Sequence, residues 1–91
     1  MRKFEDLIDS DTILSRMTDY ELDRGPEGRV FIRVHEILTG SKKGSFIAYP
    51  TWVVGRTKNQ YMVMAETHDD ALDECLLRIK GVPLDDLKEE P

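Results

Sequence analysis

The 91-residue chain has a single cysteine, two histidines, one tryptophan and no long apolar run. Each shortage removes a class of protein. One cysteine rules out an intramolecular disulfide and any zinc site built on several thiolates. Uninterrupted apolar runs of only a few residues leave nothing long enough to span a bilayer as a helix. Met1-Arg2-Lys3 is followed by an acidic amphipathic segment instead of an apolar stretch, so no secretory signal is expected and the cytoplasm is the expected location. Internal repeats and low-complexity tracts are also missing, which excludes solenoids and compositionally disordered arrays.

What is present describes one soluble domain over residues 1–91, with 40% hydrophobic and 34% charged residues and a polar tail at 88–91. The net charge of −5 is unevenly spread. Residues 1–23 hold three basic and seven acidic side chains, residues 24–58 seven and two, and residues 59–91 three and nine. The cationic middle third is either a binding surface or a counterweight to the acidic segments across the folded chain.

The clearest element is a helix over Thr67–Gly81 (THDDALDECLLRIKG). Thr67 is a good N-cap with Asp70 three positions on, and Asp69 and Asp70 favour the positive end of the helix dipole. Ala71, Leu72, Cys75, Leu76 and Ile79 fall on one side of a 3.6-residue period and must face a core. Gly81, followed by Val82 and Pro83, reads as a left-handed cap and stop. Cys75 lies on the apolar stripe, the position of a buried structural thiol.

Upstream, Phe4, Leu7 and Ile8, and then Ile13, Leu14 and Met17, show helical spacing on two different stripes. Two short helices, or one that bends, are expected, with Ser10 or Asp11 capping the second. From Thr18 to Asp23 the period becomes two and a short strand is expected before the turn Arg24–Gly28. In Arg29–Leu38 (RVFIRVHEIL), Val30, Ile32 and Val34 line one face, while Arg29, Phe31, Arg33, His35 and Ile37 line the other. Thr39–Ser45 forms a basic hairpin loop. Phe46–Tyr49 is strand-like, with Pro50 placing it at an edge or ending it, and Trp52–Val54 is a segment where it can resume. Gly55–Gln60 supplies a turn, Tyr61–Glu66 a last strand, and Pro83–Leu87 a final turn docked through Leu84 and Leu87. The predicted fold is α+β in two layers, of order α-β-β-β(-β)-α. An antiparallel sheet of three to four strands carries the C-terminal helix on one face, with a short helical N-terminal segment.

In element order this resembles double-stranded-RNA-binding domains and the arm-type DNA-binding domains of integrases. The segment Phe46-Ile47-Ala48-Tyr49-Pro50, with Glu66-Thr67-His68-Asp69-Asp70-Ala71-Leu72, resembles the strand, proline, strand and helix of HicB-type antitoxins. Those resemblances imply a nucleic-acid-binding or antitoxin-like regulatory role for residues 24–58.

No motif specifies catalysis. Glu66, His68, Asp69 and Asp70 are metal-ligating types, but residues in a first helical turn fan outward, and two of them already serve the cap. His35 sits on a strand without a sequence-adjacent partner on its own face. Ser10, Ser15, Ser41 and Ser45 lack a nucleophile elbow, and Gly40–Gly44 lacks the pattern of a phosphate loop. The expectation is therefore a non-enzymatic protein-interaction module, including a homodimeric form, with no cofactor, metal, membrane or small-molecule substrate. Its candidate surface is Arg29, Arg33, Lys42, Lys43, Tyr49, Trp52, Arg56 and Lys58. Cations mixed with aromatics also suit phosphate contacts and base stacking, which keeps nucleic acid as the alternative partner. Trp52 beside Pro50 is the type of residue enriched at interaction hot spots.

Overall fold

Alternation in the Arg29–Ile37 segment sets the architecture. A computed structural model describes residues 3–52 and 59–87, and in it four strands form one antiparallel sheet in sequential order: β1 (Ser15–Asp23), β2 (Arg29–Ile37), β3 (Phe46–Thr51) and β4 (Val63–Ala65). Helix α1 (His68–Ile79) packs on β2, β3 and β4, and a single turn, α2 (Leu84–Leu87), follows. This is the two-layer α+β arrangement expected from the sequence.

The face beneath α1 is the core. Val30, Ile32 and Val34 of β2 are buried there with Ala48 and Val63, against Ala71, Cys75 and Ile79 of the helix. Leu84 and Leu87 dock α2 on the same cluster. The Thr67 side chain accepts a bond from the Asp70 amide at 3.1 Å. Gly81, at φ +77°, ends the helix in the left-handed conformation that glycine adopts without steric cost. Burial pushes the Cys75 thiol up to about 11, leaving little thiolate at neutral pH. In native protein Cys75 is therefore expected to react with an aromatic disulfide reagent far more slowly than in urea-unfolded chain. Equal rates would show that the helix does not shield it.

The N-terminal expectation is corrected. Phe4–Asp6 forms only a 3-10 turn, and no second helix covers Ile13–Met17. Instead β1 begins at Ser15 and pairs along its whole length with β2, from Ser15↔Ile37 to Asp23↔Arg29. The ladder extends further, since the Leu38 amide donates to the Leu14 carbonyl and the Leu14 amide donates to Thr39 Oγ1, each at 2.9 Å. Pairing with a preformed neighbour satisfies more backbone groups than one isolated turn of helix. The last strand is also shorter than expected, because Asn59–Tyr61 is a 3-10 turn and only Val63–Ala65 pairs.

Pro50 neither ends β3 nor places it at an outer edge. At the hairpin base the Ile37 amide donates to the Ser45 carbonyl and the Gly44 amide to the Ile37 carbonyl, a bulge that uses Gly44 at φ +89°. Counting from that hydrogen-bonded pair makes Ile32↔Pro50 a non-hydrogen-bonded pair, with the proline nitrogen turned away from β2. On that side β4 pairs only as far as Ala48, so no ladder bond is lost. The segment 53–58, including the expected resumption of the strand and Arg56 and Lys58, lies outside the described residues, as does the tail 88–91.

Candidate functional site

The sheet face opposite α1 carries no layer among the described elements, and the register determines what it displays. Across all four strands runs the row Met17, His35, Ile47, Met64. Met17 and Met64, at the ends, are 55% and 54% exposed, while His35 and Ile47 between them are half-buried. The next row is Asp19, Arg33, Tyr49, and the one beyond it Glu21, Phe31, Thr51. Apolar side chains are thus concentrated towards the β2–β3 hairpin, and charge towards the opposite end.

The charges are paired. Arg33 donates to Asp19 through Nε at 2.8 Å and through a terminal nitrogen at 3.1 Å. This two-point contact raises the Arg33 pKa and holds the Asp19 carboxyl below the usual range. Arg29 lies 3.3 Å from Glu21 and 3.7 Å from Asp23. On the helix side Arg16 bonds Glu36 at 3.2 Å. The acidic N-terminal third thus supplies carboxylates to Arg29 and Arg33 of the cationic middle third along one strand pair, while in the Arg16–Glu36 pair the cation comes from the N-terminal third.

Beside Arg33 lies a chain of hydroxyl and imidazole groups. His35 Nε2 is 2.8 Å from the Tyr49 hydroxyl, and His35 Nδ1 is 3.1 Å from Ser15 Oγ. The imidazole also stacks on the Tyr49 ring, with centroids 5.5 Å apart. Both hydroxyls can donate or accept, so the ring is fixed from two sides in either tautomer. Burial, and then the Arg33 charge, lower the His35 pKa, with Asp19 opposing. The neutral ring is thus favoured in the fold. The unfolded chain takes up a proton at higher pH than the folded one, so stability is full above the ordinary histidine value. It falls as the pH drops through that value towards the lowered one. His35→Gln is expected to flatten this dependence in urea titrations between pH 7.5 and 5; an unchanged slope would assign it to another group.

The sequence-derived surface is divided by the fold. Arg29 and the hairpin loop holding Lys42 and Lys43 stand at opposite ends of β2, roughly 27 Å apart at the rise of a strand. Lys43 bonds Glu5 at 3.0 Å, and Lys42 is exposed in the same loop. Arg33 and Tyr49 are neighbours on the open face. Trp52 is half-buried and packs against the core cluster. Residues missed from the sequence are Ser15, Met17, Ile47 and Met64, which come together only once the register is known. The acidic start of α1 is occupied with local bonds: His68 Nδ1 lies 2.9 Å from Asp69, and His68 Nε2 lies 2.8 Å from the Tyr20 hydroxyl. Among the described residues no group of three His, Cys, Asp or Glu side chains is placed to hold a metal ion.

Compared with protein-family models, with curated proteins and with solved structures, the chain matches none.

Proposed function

We propose that the domain is a protein-interaction module that self-associates through its open sheet face. The observation that carries this reading is the Met17–His35–Ile47–Met64 row, which spans the sheet and exposes two methionines at its ends. Methionine adapts to a facing surface and is frequent at binding interfaces. A second copy is the occupant because the ionic groups of this face pair with one another. Such a face carries little unpaired charge to repel its own image, and a two-fold contact brings the same patch from both sides. Among the described residues of the cationic segment, Arg29, Arg33 and Lys43 are bound to carboxylates, which supports a protein partner over nucleic acid.

The long outer strand β1 is a less suitable contact. It presents Arg16, Asp19, Glu21 and Asp23, the type of charged edge that discourages strand addition.

Sedimentation equilibrium from about 10 to 500 µM, a range matched to a contact of modest affinity, is expected to show a monomer–dimer equilibrium. Ile47→Glu should shift it to monomer with the circular dichroism spectrum unchanged. A wild-type protein that stays monomeric, or a dimer indifferent to Ile47→Glu, would overturn the reading.

A further inference from the structure

The apolar end of the open face is too small to hold two copies together on its own. The sheet is three strand spacings wide, roughly 14 Å. From the Ser15↔Ile37 pair to the Asp19↔Arg33 pair the face runs roughly 13 Å along the strands. That is a footprint on the order of 200 Å² in projection, well under the 800 Å² or so of accessible surface that a stable interface takes from each partner, even when side-chain relief doubles it. Growth towards the other end would desolvate the Asp19–Arg33 and Glu21–Arg29 pairs. The contact therefore has to extend past the hairpin end.

Residues 3–14 lie at that end. The ladder continues beyond Ser15, with Leu14 bonded to Leu38 and Thr39, so alternation puts Ile13 on the same side of β1 as Ser15 and Met17. Ile13 sits beside the hairpin loop, where a Cβ added to Gly40 would come 3.7 Å from its Cγ1. Farther back, Glu5 bonds Lys43 of the same loop at 3.0 Å and holds the Phe4–Asp6 turn near it. Ile37, on the open-face side of β2 at this end, is buried although it stands outside the cluster beneath α1. Apolar packing thus continues here on the side of the sheet away from the helix.

The segment is also apolar and uncovered. Phe4, Leu7 and Ile13 are 43%, 57% and 63% exposed, and no residue of Phe4–Asp6 is buried. With Met17 and Met64 they make five of the eight large apolar side chains exposed among the described residues, a concentration at one end that scattered surface hydrophobes do not show. Exposed Asp6, Asp9 and Asp11 on the segment and exposed Lys42 on the loop give this end both signs of charge, so it does not repel its own image.

We propose that the N-terminal segment, through Phe4, Leu7 and Ile13, is the second part of the self-association surface and packs in the dimer on the hairpin end of the partner's open face. This rests on the self-association reading and adds a direction to it. A two-fold axis along the strands sets hairpin end on hairpin end and brings both N-terminal segments to the contact. An axis across the strands would lay each apolar end on the partner's charged end.

Sedimentation equilibrium of the full chain tests this with two leucines of similar exposure on different surfaces. Leu7→Glu is expected to raise the dimer dissociation constant at least about tenfold. Urea unfolding of the dilute monomer should not change, because Leu7 is exposed there. Leu77→Glu makes the same substitution on α1, where the side chain is 65% exposed, and should alter the constant by less than about twofold. A dimer that Ile47→Glu dissociates and Leu7→Glu leaves intact would overturn this proposal while the self-association reading stands. Equal effects of Leu7→Glu and Leu77→Glu would also overturn it, by showing a response to net charge alone. A wild-type chain that is monomeric at every concentration would overturn both.

Discussion

Replacing Ile32 by alanine is expected to lower the free energy of unfolding by about 2 to 5 kcal/mol, the range for emptying a buried aliphatic site. Ile32 is 1% exposed at the centre of the core face, between Tyr20 and Pro50 on the adjoining strands. A small domain has roughly 5 to 15 kcal/mol in all, so the variant stands close to unfolding. The informative comparison is Ile47→Ala on the other face of the same sheet. Ile47 is half-buried and has no helix over it, so its truncation should cost the monomer less than about 1.5 kcal/mol, within the range of lightly packed substitutions. Urea titrations below the concentration of any self-association would measure both. Equal losses would mean that the two faces are packed alike and that α1 does not define the core.

That pair also shows what was legible beforehand. Alternation in RVFIRVHEIL assigns Val30, Ile32 and Val34 to one face because a strand's side-chain period of two is local and independent of neighbours. The α1 caps were legible for a similar reason: Thr67 and Gly81 act within a few residues of themselves. The start of β1 was not. Ile13, Leu14 and Met17 have helical spacing, and Ser15–Met17 lacks the alternation that Tyr20 and Leu22 give the rest of β1; pairing with β2 makes this first stretch a strand.

The candidate surface was harder to read than the fold. Arg33 and Asp19, or His35, Ser15 and Tyr49, are brought together by register, which depends on the hairpin bulge at Gly44 and on the alignment of β1. Sequence order alone put Arg29, Lys42 and Lys43 in one cationic segment, although the length of β2 separates the first from the other two.

A second large effect is expected from Arg24, a residue the sequence places in a turn. Its side chain is only 15% exposed. It donates to the Ile79 carbonyl, at the end of α1, which also accepts from the Val82 amide at 3.0 Å, and to the Val82 carbonyl just beyond the helix. A guanidinium there also opposes the negative end of the helix dipole. Arg24→Met keeps much of the apolar stem but leaves those carbonyls without their charged donor. Hydrogen bonds to charged groups contribute about 1.5 to 3 kcal/mol each, so the loss should be about 2 to 4 kcal/mol in urea titrations at pH 7. Glu27 keeps its bond from the Leu84 amide at 2.7 Å, so the turn and α2 remain tied. The damage should therefore appear as early hydrogen exchange in the last turn of α1 and at Val82. Arg29→Met removes an exposed cation paired with Glu21 and Asp23 and should cost less than about 1 kcal/mol, as exposed ion pairs do. If the two variants lose the same stability, Arg24 is only another surface charge. If Arg24→Met alone is severely destabilised, one arginine of the cationic segment is a structural clamp between the β1–β2 turn and the end of the helix.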